Sequence, residues 1–220
     1  YDAKLYASTQ VIDEARHVEV FQRYLDEKLS GHYPINAHLK LLLDDIADVR
    51  AYERERDTFR PHVIELKRRR RVHLGTVVTF VFENRDTIRF QIQEMARVEK
   101  LISDADIQVE LDTYNPMVPD PGQVCATMFI ELTSDEQMRE WLPKLVEVER
   151  SVLLVLANGD RVRGIVDEQH EQGLTRDYVT AAVHYLRWEL TPDQVEAFAD
   201  GPVRLEIDHP AYLESVELSE

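Results

Sequence analysis

Glu14 and His17 are the residues whose types and spacing most directly predict metal chemistry. A carboxylate and an imidazole three positions apart lie on one face of a helix and can reach the same metal ion. Residues 1–29 contain neither Gly nor Pro, which favours a helix there. The pair is therefore a candidate half-site for iron. The alternative is a solvated polar face.

Two histidines, His184 and His209, form a second candidate metal pair. Each falls on the apolar face of a predicted strand, over residues 179–190 and 203–209, and should point at the core. The alternative is that both are hydrogen-bonded core residues, which is the more frequent role of a histidine on an apolar face. The single cysteine, Cys125, cannot form an intrachain disulfide, and a lone thiol does not indicate a nucleophile.

Anion binding is predicted at two places. Polar side chains cluster where a predicted strand leads into a helix, and a helix N-terminus accepts anions. The candidate ligand-binding residues of this cluster are Asn84, Arg85, Gln91, Glu94 and Arg97, together with Gln93. The alternative is a capping or solvated cluster. Residues 67–71 are five consecutive cations that could hold an anionic ligand or pair with the protein's own carboxylates.

These candidates must be positioned by an α+β fold. Periodicity of 3.6 and capping residues predict helices at 36–66 with a break or kink at Pro61, and at 88–102, 107–114, 134–149 and 192–198. Apolar runs and alternation predict strands at 77–82, 124–132, 152–156, 162–166, 179–190 and 203–209. Asn158-Gly159 predicts a hairpin turn. We expect a largely antiparallel sheet of about six strands packed with helices, preceded by an N-terminal helical segment.

Composition limits the partners. The chain has 42 acidic and 26 basic residues and a formal charge of −16, which disfavours nucleic acid. No apolar run approaches the roughly 20 residues that span a bilayer, so no membrane segment is predicted. The absence of a basic and apolar leader, with one cysteine, favours a cytoplasmic protein. Because the chain begins at Tyr1 inside a predicted helix, we expect it to be an excerpt of a longer product.

The stretch from Ala7 to Tyr24, with its Glu-x-x-His pair, resembles ferritin-like di-iron proteins, particularly those similar to p-aminobenzoate N-oxygenases. The resemblance runs from residue 1 to about 45. It implies a site with one Glu from each of two helices and a Glu-x-x-His from each of two others. This chain supplies one such pair, Glu14 and His17, so iron is expected only if upstream or partner ligands complete the site.

From about residue 42 to 220 the chain resembles the bacterial domain-of-unknown-function 3501 family, which has no established activity. The matching motifs are residues 43–48, 52–56, 67–72, 82–86, 91–95, 112–116, 182–187 and 208–212. The resemblance implies association with rubrerythrin-like and iron–sulfur oxidoreductase systems. It also divides the chain into a helical fragment, 1–42, and an α+β domain, 43–220.

Three functional hypotheses follow. The first is a non-catalytic binding or accessory protein with a protein partner from an iron or redox system. It is favoured because the chain contains no Gly-rich phosphate loop, Gly-x-Ser-x-Gly elbow or His-Glu-x-x-His helix. The second is part of a di-iron oxidase or oxygenase whose other ligands lie outside this chain. The third is that the junction near residue 45 is not physiological. The ligand and the oligomeric state stay open.

Overall fold

In the computed structural model the described residues are 49–101, 104–166 and 179–218. Within these ranges the α-helices are α1 (Val49–Arg69), α2 (Arg85–Glu99), α3 (Asp104–Tyr114), α4 (Asp135–Lys144) and α5 (Pro192–Asp200). The strands are β1 (Arg71–Leu74), β2 (Val78–Phe82), β3 (Gln123–Ile130), β4 (Val152–Val155), β5 (Arg161–Arg163), β6 (Ile165–Val166), β7 (Val183–Glu189), β8 (Val203–His209) and β9 (Tyr212–Leu218). Short 3-10 helices lie at Asn115–Met117 and Val148–Ser151.

The strands form two antiparallel sheets that share one core. The first sheet has the order β1-β2-β3-β7-β6, and the second has the order β5-β4-β8-β9. Alternate side chains of both sheets point at each other, because successive residues of a strand face opposite sides. The largest fully buried ones in this core include Phe80, Met128, Leu154, Leu186, Trp188 and Leu205. The sheets are therefore held together mainly by buried apolar surface.

Gly164 marks the point where one extended segment passes from the second sheet to the first. β5 pairs with β4, whereas β6 pairs with β7. The amide of Gly164 donates to the carbonyl oxygen of Val152 at 2.9 Å. A Cβ atom at position 164 would lie 3.3 Å from the indole ring of Trp188. The absence of a side chain lets the backbone cross directly over that ring.

Helices α2 and α3 cover the other face of the first sheet. Their apolar side chains form a second cluster with that face, made of Ile88, Ile92, Ile107, Leu111, Met117, Val118 and Cys125. Asn84 caps α2 by accepting from the amide of Thr87, and the Thr87 hydroxyl accepts from the amide of Asn84. Such a capping box fixes where the helix starts relative to the end of β2.

The predicted α+β class with antiparallel strands is confirmed. The described strands number nine and are divided between two sheets, whereas about six in one sheet were expected. The edge strands β1 and β9 escaped the prediction, and the predicted strand 162–166 is divided into β5 and β6 at Gly164. Among the described residues no helix is long and apolar enough to cross a membrane.

Several boundaries differ from the predictions. α1 continues through Pro61 without a break. α4 ends at Lys144, just after Pro143, rather than at residue 149, and a 3-10 helix follows at Val148–Ser151. The predicted strand 179–190 is shorter, with β7 starting at Val183. The predicted domain boundary after residue 42 and the candidate pair Glu14 and His17 lie outside the described residues.

Candidate ligand-binding cleft

A cleft of about 830 Å³ lies where β2 and β9 end and β3 and β8 begin. The pairing of Phe82 with Ala126 and of Val203 with Leu218 brings these strand ends together at one end of the two sheets. The volume is within the range of about 300–1,000 Å³ that is usual for small-molecule sites. We call this feature the end cleft.

The floor of the end cleft is apolar. Six half-buried side chains line it and pack on the core behind: Val72, Phe82, Val124, Phe198, Val216 and Leu218. They come from both sheets and from α5. Apolar surface left in a concave site favours a ligand with an apolar body, because its burial removes more of that surface from water.

Arg70 supplies positive charge beside this floor. The amide of Phe82 donates to the carbonyl oxygen of Arg70 at 3.0 Å, which extends the pairing of β1 with β2 by one residue. Val72 packs against the core between the sheets, so strand alternation places Arg70 on the same side. Arg70 is half-buried and lines the cleft, and no described residue forms a side-chain hydrogen bond or ion pair with it.

The other cations of the tract 67–71 have partners within the protein. Arg68 and Arg69 lie 2.8 and 3.4 Å from Glu65, and Arg71 lies 2.9 Å from Glu131. The Lys67 ammonium stands 5.9 Å from the centre of the Phe90 ring. Pairing of the tract with the protein's own carboxylates is therefore confirmed for three of its arginines. Arg69 and Arg71 also line the cleft, and Arg70 differs from them in having no carboxylate partner among the described residues.

Glu83 borders the cleft on the helical side of the first sheet. Its side chain is buried, with a residue exposure of 6%. The hydroxyl of Thr127 donates to its Oε1 at 2.6 Å, and its amide donates to the carbonyl oxygen of Cys125 at 2.8 Å. Its other oxygen, Oε2, has no hydrogen-bond partner among the described residues. Asp200 and Glu217 also line the cleft, so three carboxylates border it as well as the three arginines at 69–71.

Cys125 also borders the cleft, but its thiol is unreactive. Burial raises the pKa of its thiol to about 12, with the negative charges of Glu83 and Asp120 adding to the effect and Arg187 opposing it. A thiol with such a pKa stays protonated near neutral pH, and the protonated form is a poor nucleophile and metal ligand. Cys125 therefore acts as a small apolar residue in the packing.

The five residues of the predicted anion cluster are spread along α2. Asn84 caps the helix and lines the cleft. Glu94 accepts hydrogen bonds from Arg56 and Tyr52 of α1, and Arg97 in the last turn donates to Glu53 at 2.6 Å. Arg85 and Gln91 are half-buried in the first and second turns. The structure thus uses Glu94 and Arg97 to join α1 to α2, and of the five it brings Asn84 to the cleft.

His184 and His209 both approach backbone carbonyls. His184 Nε2 lies 2.9 Å from the oxygen of Ala181, and His209 Nε2 lies 3.1 Å from that of Val146. His184 Nδ1 is also 3.8 Å from the buried carboxylate of Glu149. Among residues 49–101, 104–166 and 179–218, no group of three or more His, Cys, Asp or Glu side chains is arranged to hold a metal ion.

The sequence did not predict that Arg70 lies near Phe82, Phe198 and Leu218, although the basic tract that contains Arg70 is a clear pattern. The local signal was the alternation of Arg70 and Val72 ahead of an apolar strand. That signal places Arg70 on the inner face of a strand but does not reveal which distant elements meet there.

The architecture defines a class: an α+β domain with two antiparallel sheets, helices on one outer face and a cleft at one end. The chain belongs to the DUF3501 family, described as a protein of unknown function, whose model matches residues 40–220. This confirms the resemblance seen in the sequence from about residue 42 onward. The ferritin-like resemblance lies almost wholly before this match, which lends it no support.

A solved structure has a similar fold. It is the crystal structure of a novel protein of unknown function from Burkholderia pseudomallei K96243, with 36% sequence identity and a TM-score of 0.73. The match covers 80% of this chain and 92% of that chain. No curated protein matches the chain.

Proposed function

We propose that this chain is a binding protein for an amphipathic anion, whose apolar body fills the end cleft and whose carboxylate or phosphate meets Arg70. The observation that carries the proposal is the half-buried Arg70, which lacks a described polar partner and lies beside an apolar floor. A guanidinium in such a place gains a charge-assisted, bidentate hydrogen bond when an oxyanion arrives.

Charge and shape together determine the selectivity. The net charge of −16 repels anions at long range, so a small hydrophilic anion gains little from approaching the surface. An anion with an apolar body gains burial as well as the contact with Arg70, where reduced access of water strengthens the electrostatic attraction. We therefore expect fatty acid-like ligands to bind, and inorganic phosphate to bind weakly.

A binding role agrees with the non-catalytic accessory protein predicted from the sequence. We propose, on the family resemblance alone, that the partner belongs to an iron or redox system. The alternative, a portion of a di-iron oxidase or oxygenase, stays a prediction that depends on Glu14 and His17. Metal analysis of the intact chain and of a Glu14→Ala/His17→Ala variant tests it, because a half-site completed by partner ligands should lose iron in the variant.

Titration calorimetry with dodecanoate, 1-dodecanol and inorganic phosphate tests the cleft. We expect Arg70→Gln to weaken dodecanoate binding by about tenfold or more, the equivalent of one charge-assisted hydrogen bond, and to leave dodecanol binding unchanged. The matched control is Arg68→Gln, which removes an exposed cation paired with Glu65. Equal loss in both variants would show that only the general surface charge matters.

The floor is tested with two variants of α5. Phe198→Ala removes a lining ring and should weaken dodecanoate and dodecanol alike, because it deletes apolar contact. Val195→Ala on the same helix removes an exposed side chain outside the cleft lining and should change neither. Binding of dodecanoate that is indifferent to both Arg70→Gln and Phe198→Ala would overturn the proposal.

A further inference from the structure

A buried histidine and a buried glutamate connect the two sheets at the other end of the core from the end cleft. His184 lies near the start of β7, whereas the part of β7 that is paired with the cleft-lining residues 123–125 is its far end, 187–189. Glu149 belongs to the 3-10 helix that leads into β4 of the second sheet. His184 Nδ1 lies 3.8 Å from Glu149 Oε2, and the two side chains are 3% and 1% exposed.

The other ring nitrogen of His184 carries a proton. Nε2 lies 2.9 Å from the carbonyl oxygen of Ala181 and 3.0 Å from the hydroxyl oxygen of Thr180. A carbonyl oxygen can only accept, so Nε2 is the donor in the contact with Ala181. A neutral imidazole with its proton on Nε2 would turn the lone pair of Nδ1 towards the Glu149 carboxylate. A second proton, on Nδ1, converts this repulsion into attraction.

The distance between the two groups decides which of them holds that second proton. A protonated Glu149 would stabilise a neutral imidazole by donating a hydrogen bond, and 3.8 Å is too long for one. The attraction between an imidazolium and a carboxylate is still strong at this separation when water is excluded. Burial opposes each charge, and a nearby charge of opposite sign offsets that cost. The geometry therefore favours the charged pair.

The charged groups on the surrounding elements are engaged with other partners or are more exposed. Arg150 Nε lies 4.0 Å from Oε1 of Glu149, and its side chain is 49% exposed, so solvent weakens this contact. On the strand paired with β7, the residue opposite His184 is the uncharged Met128. The other titratable groups on neighbouring elements are His209, which contacts the Val146 carbonyl, and the ion pairs Arg163–Asp208 and Lys144–Glu140.

From this geometry we infer that His184 is an imidazolium at neutral pH, and that its pair with Glu149 is a proton-dependent link between the two sheets. The folded protein then holds a proton that an unfolded histidine, with a pKa of about 6.5, has mostly released at pH 7. The stabilisation is complete below that ordinary value and is lost as the pH rises and His184 releases the proton. Packing of the two sheets thus depends on pH at a place separate from the end cleft.

Nitrogen-15 NMR of the full chain, labelled at its eight histidines, tests the charge state directly. The signals of His184 are those that disappear in His184→Gln. We expect both ring nitrogens of His184 to be protonated at pH 8, where an exposed histidine is more than about nine-tenths neutral. A neutral His184 at pH 7 would overturn the inference.

Glu149→Gln tests the counterion. His184 should be neutral at pH 8 in this variant, and the ratio of folded to unfolded protein at pH 7, measured by urea unfolding, should fall about tenfold or more. The difference from wild type should shrink as the pH rises. Arg150→Gln, which removes the other cation beside Glu149, is the control and should leave His184 protonated.

An imidazolium that persists at pH 8 in Glu149→Gln would overturn the role of Glu149. If that variant does not fold, as judged by circular dichroism, the spectra of the wild type and of Arg150→Gln still decide the charge state of His184.

Discussion

The hydroxyl of Tyr212 donates a hydrogen bond to the carbonyl oxygen of Leu74 at 2.7 Å, which joins β9 of the second sheet to β1 of the first. The Tyr212 hydroxyl oxygen in turn accepts from the buried amide of Val77 at 3.1 Å. Gly75 between them has a positive φ of 67°, and a Cβ atom there would lie 2.4 Å from the tyrosine oxygen. The Tyr212 hydroxyl thus links the edge strands of the two sheets at a turn that requires glycine.

Tyr212→Phe should therefore lower the free energy of unfolding by about 1–3 kcal/mol, because it leaves the buried amide of Val77 without this acceptor. The edge-to-face contact of the ring with Trp141, at 5.9 Å between centres, is retained in the variant. Urea unfolding measures the change. The control is Leu213→Ala at a neighbouring, 71% exposed position, where we expect almost no effect. Equal stability of Tyr212→Phe and wild type would contradict the role of the hydroxyl.

The α1–α2 interface should make stability depend on pH. Glu94 accepts from Arg56 at 2.7 and 3.0 Å and from Tyr52 at 2.6 Å. The Arg56 guanidinium is the main cause of the lowered pKa of Glu94, which is about 2 compared with an ordinary value of 4.5. Because the folded pKa is depressed, the stabilisation is complete above the ordinary value and is lost as the pH falls towards 2.

Glu94→Gln should consequently cost about 1–3 kcal/mol at pH 7, and the difference from wild type should shrink between pH 5 and 2. Urea unfolding of both proteins across this range gives the measurement. Glu196→Gln on the exposed face of α5 serves as the control and should show no such convergence. A difference that stayed constant down to pH 2.5 would mean that the carboxylate charge is not the stabilising feature.

Gly164 should tolerate substitution poorly. A methyl group there would lie 3.3 Å from the indole of Trp188, which is fully buried. Gly164→Val should lose about 1–3 kcal/mol through overpacking, and Gly164→Ala should lose less. Urea unfolding followed by tryptophan fluorescence measures both, since a displaced Trp188 also shifts the native emission. An unchanged midpoint of urea unfolding in Gly164→Val would contradict close packing of the backbone at Gly164 against the Trp188 ring.

Much of the local structure could be predicted from the sequence because single residues determine it. The Asn84 cap, the turn at Asn158-Gly159 and Pro192 at the start of α5 each act within a few positions of the chain, and all three are present in the structure. β9 was missed because Glu214 interrupts the inner face formed by Tyr212, Val216 and Leu218, and the exposed Leu213 lies on the opposite face. An edge strand of this kind has a weak apolar alternation.

The cleft could not be predicted, because it depends on pairings between distant segments. Arg70 was recognised as part of a basic tract. It lies between the end of α1 at Arg69 and the start of β1 at Arg71, and this change of backbone conformation gives it different surroundings from its two neighbours. Phe198 reaches the same place from α5, more than a hundred residues later in the sequence. Pairing of strands that are distant in the chain sets such proximity, and no local pattern encodes it.

Cys125 offers a chemical test of the burial beneath the cleft. Its exposure is 1%, and burial raises the pKa of the thiol to about 12. At pH 8 the thiolate fraction should be about a thousandfold smaller than that of an ordinary exposed thiol, whose pKa is about 8.5. Labelling by a disulfide reagent should therefore be very slow in the native protein and rapid in urea. Rapid native labelling at pH 8 would show that the thiol is accessible to the reagent in the folded protein, and would contradict its burial.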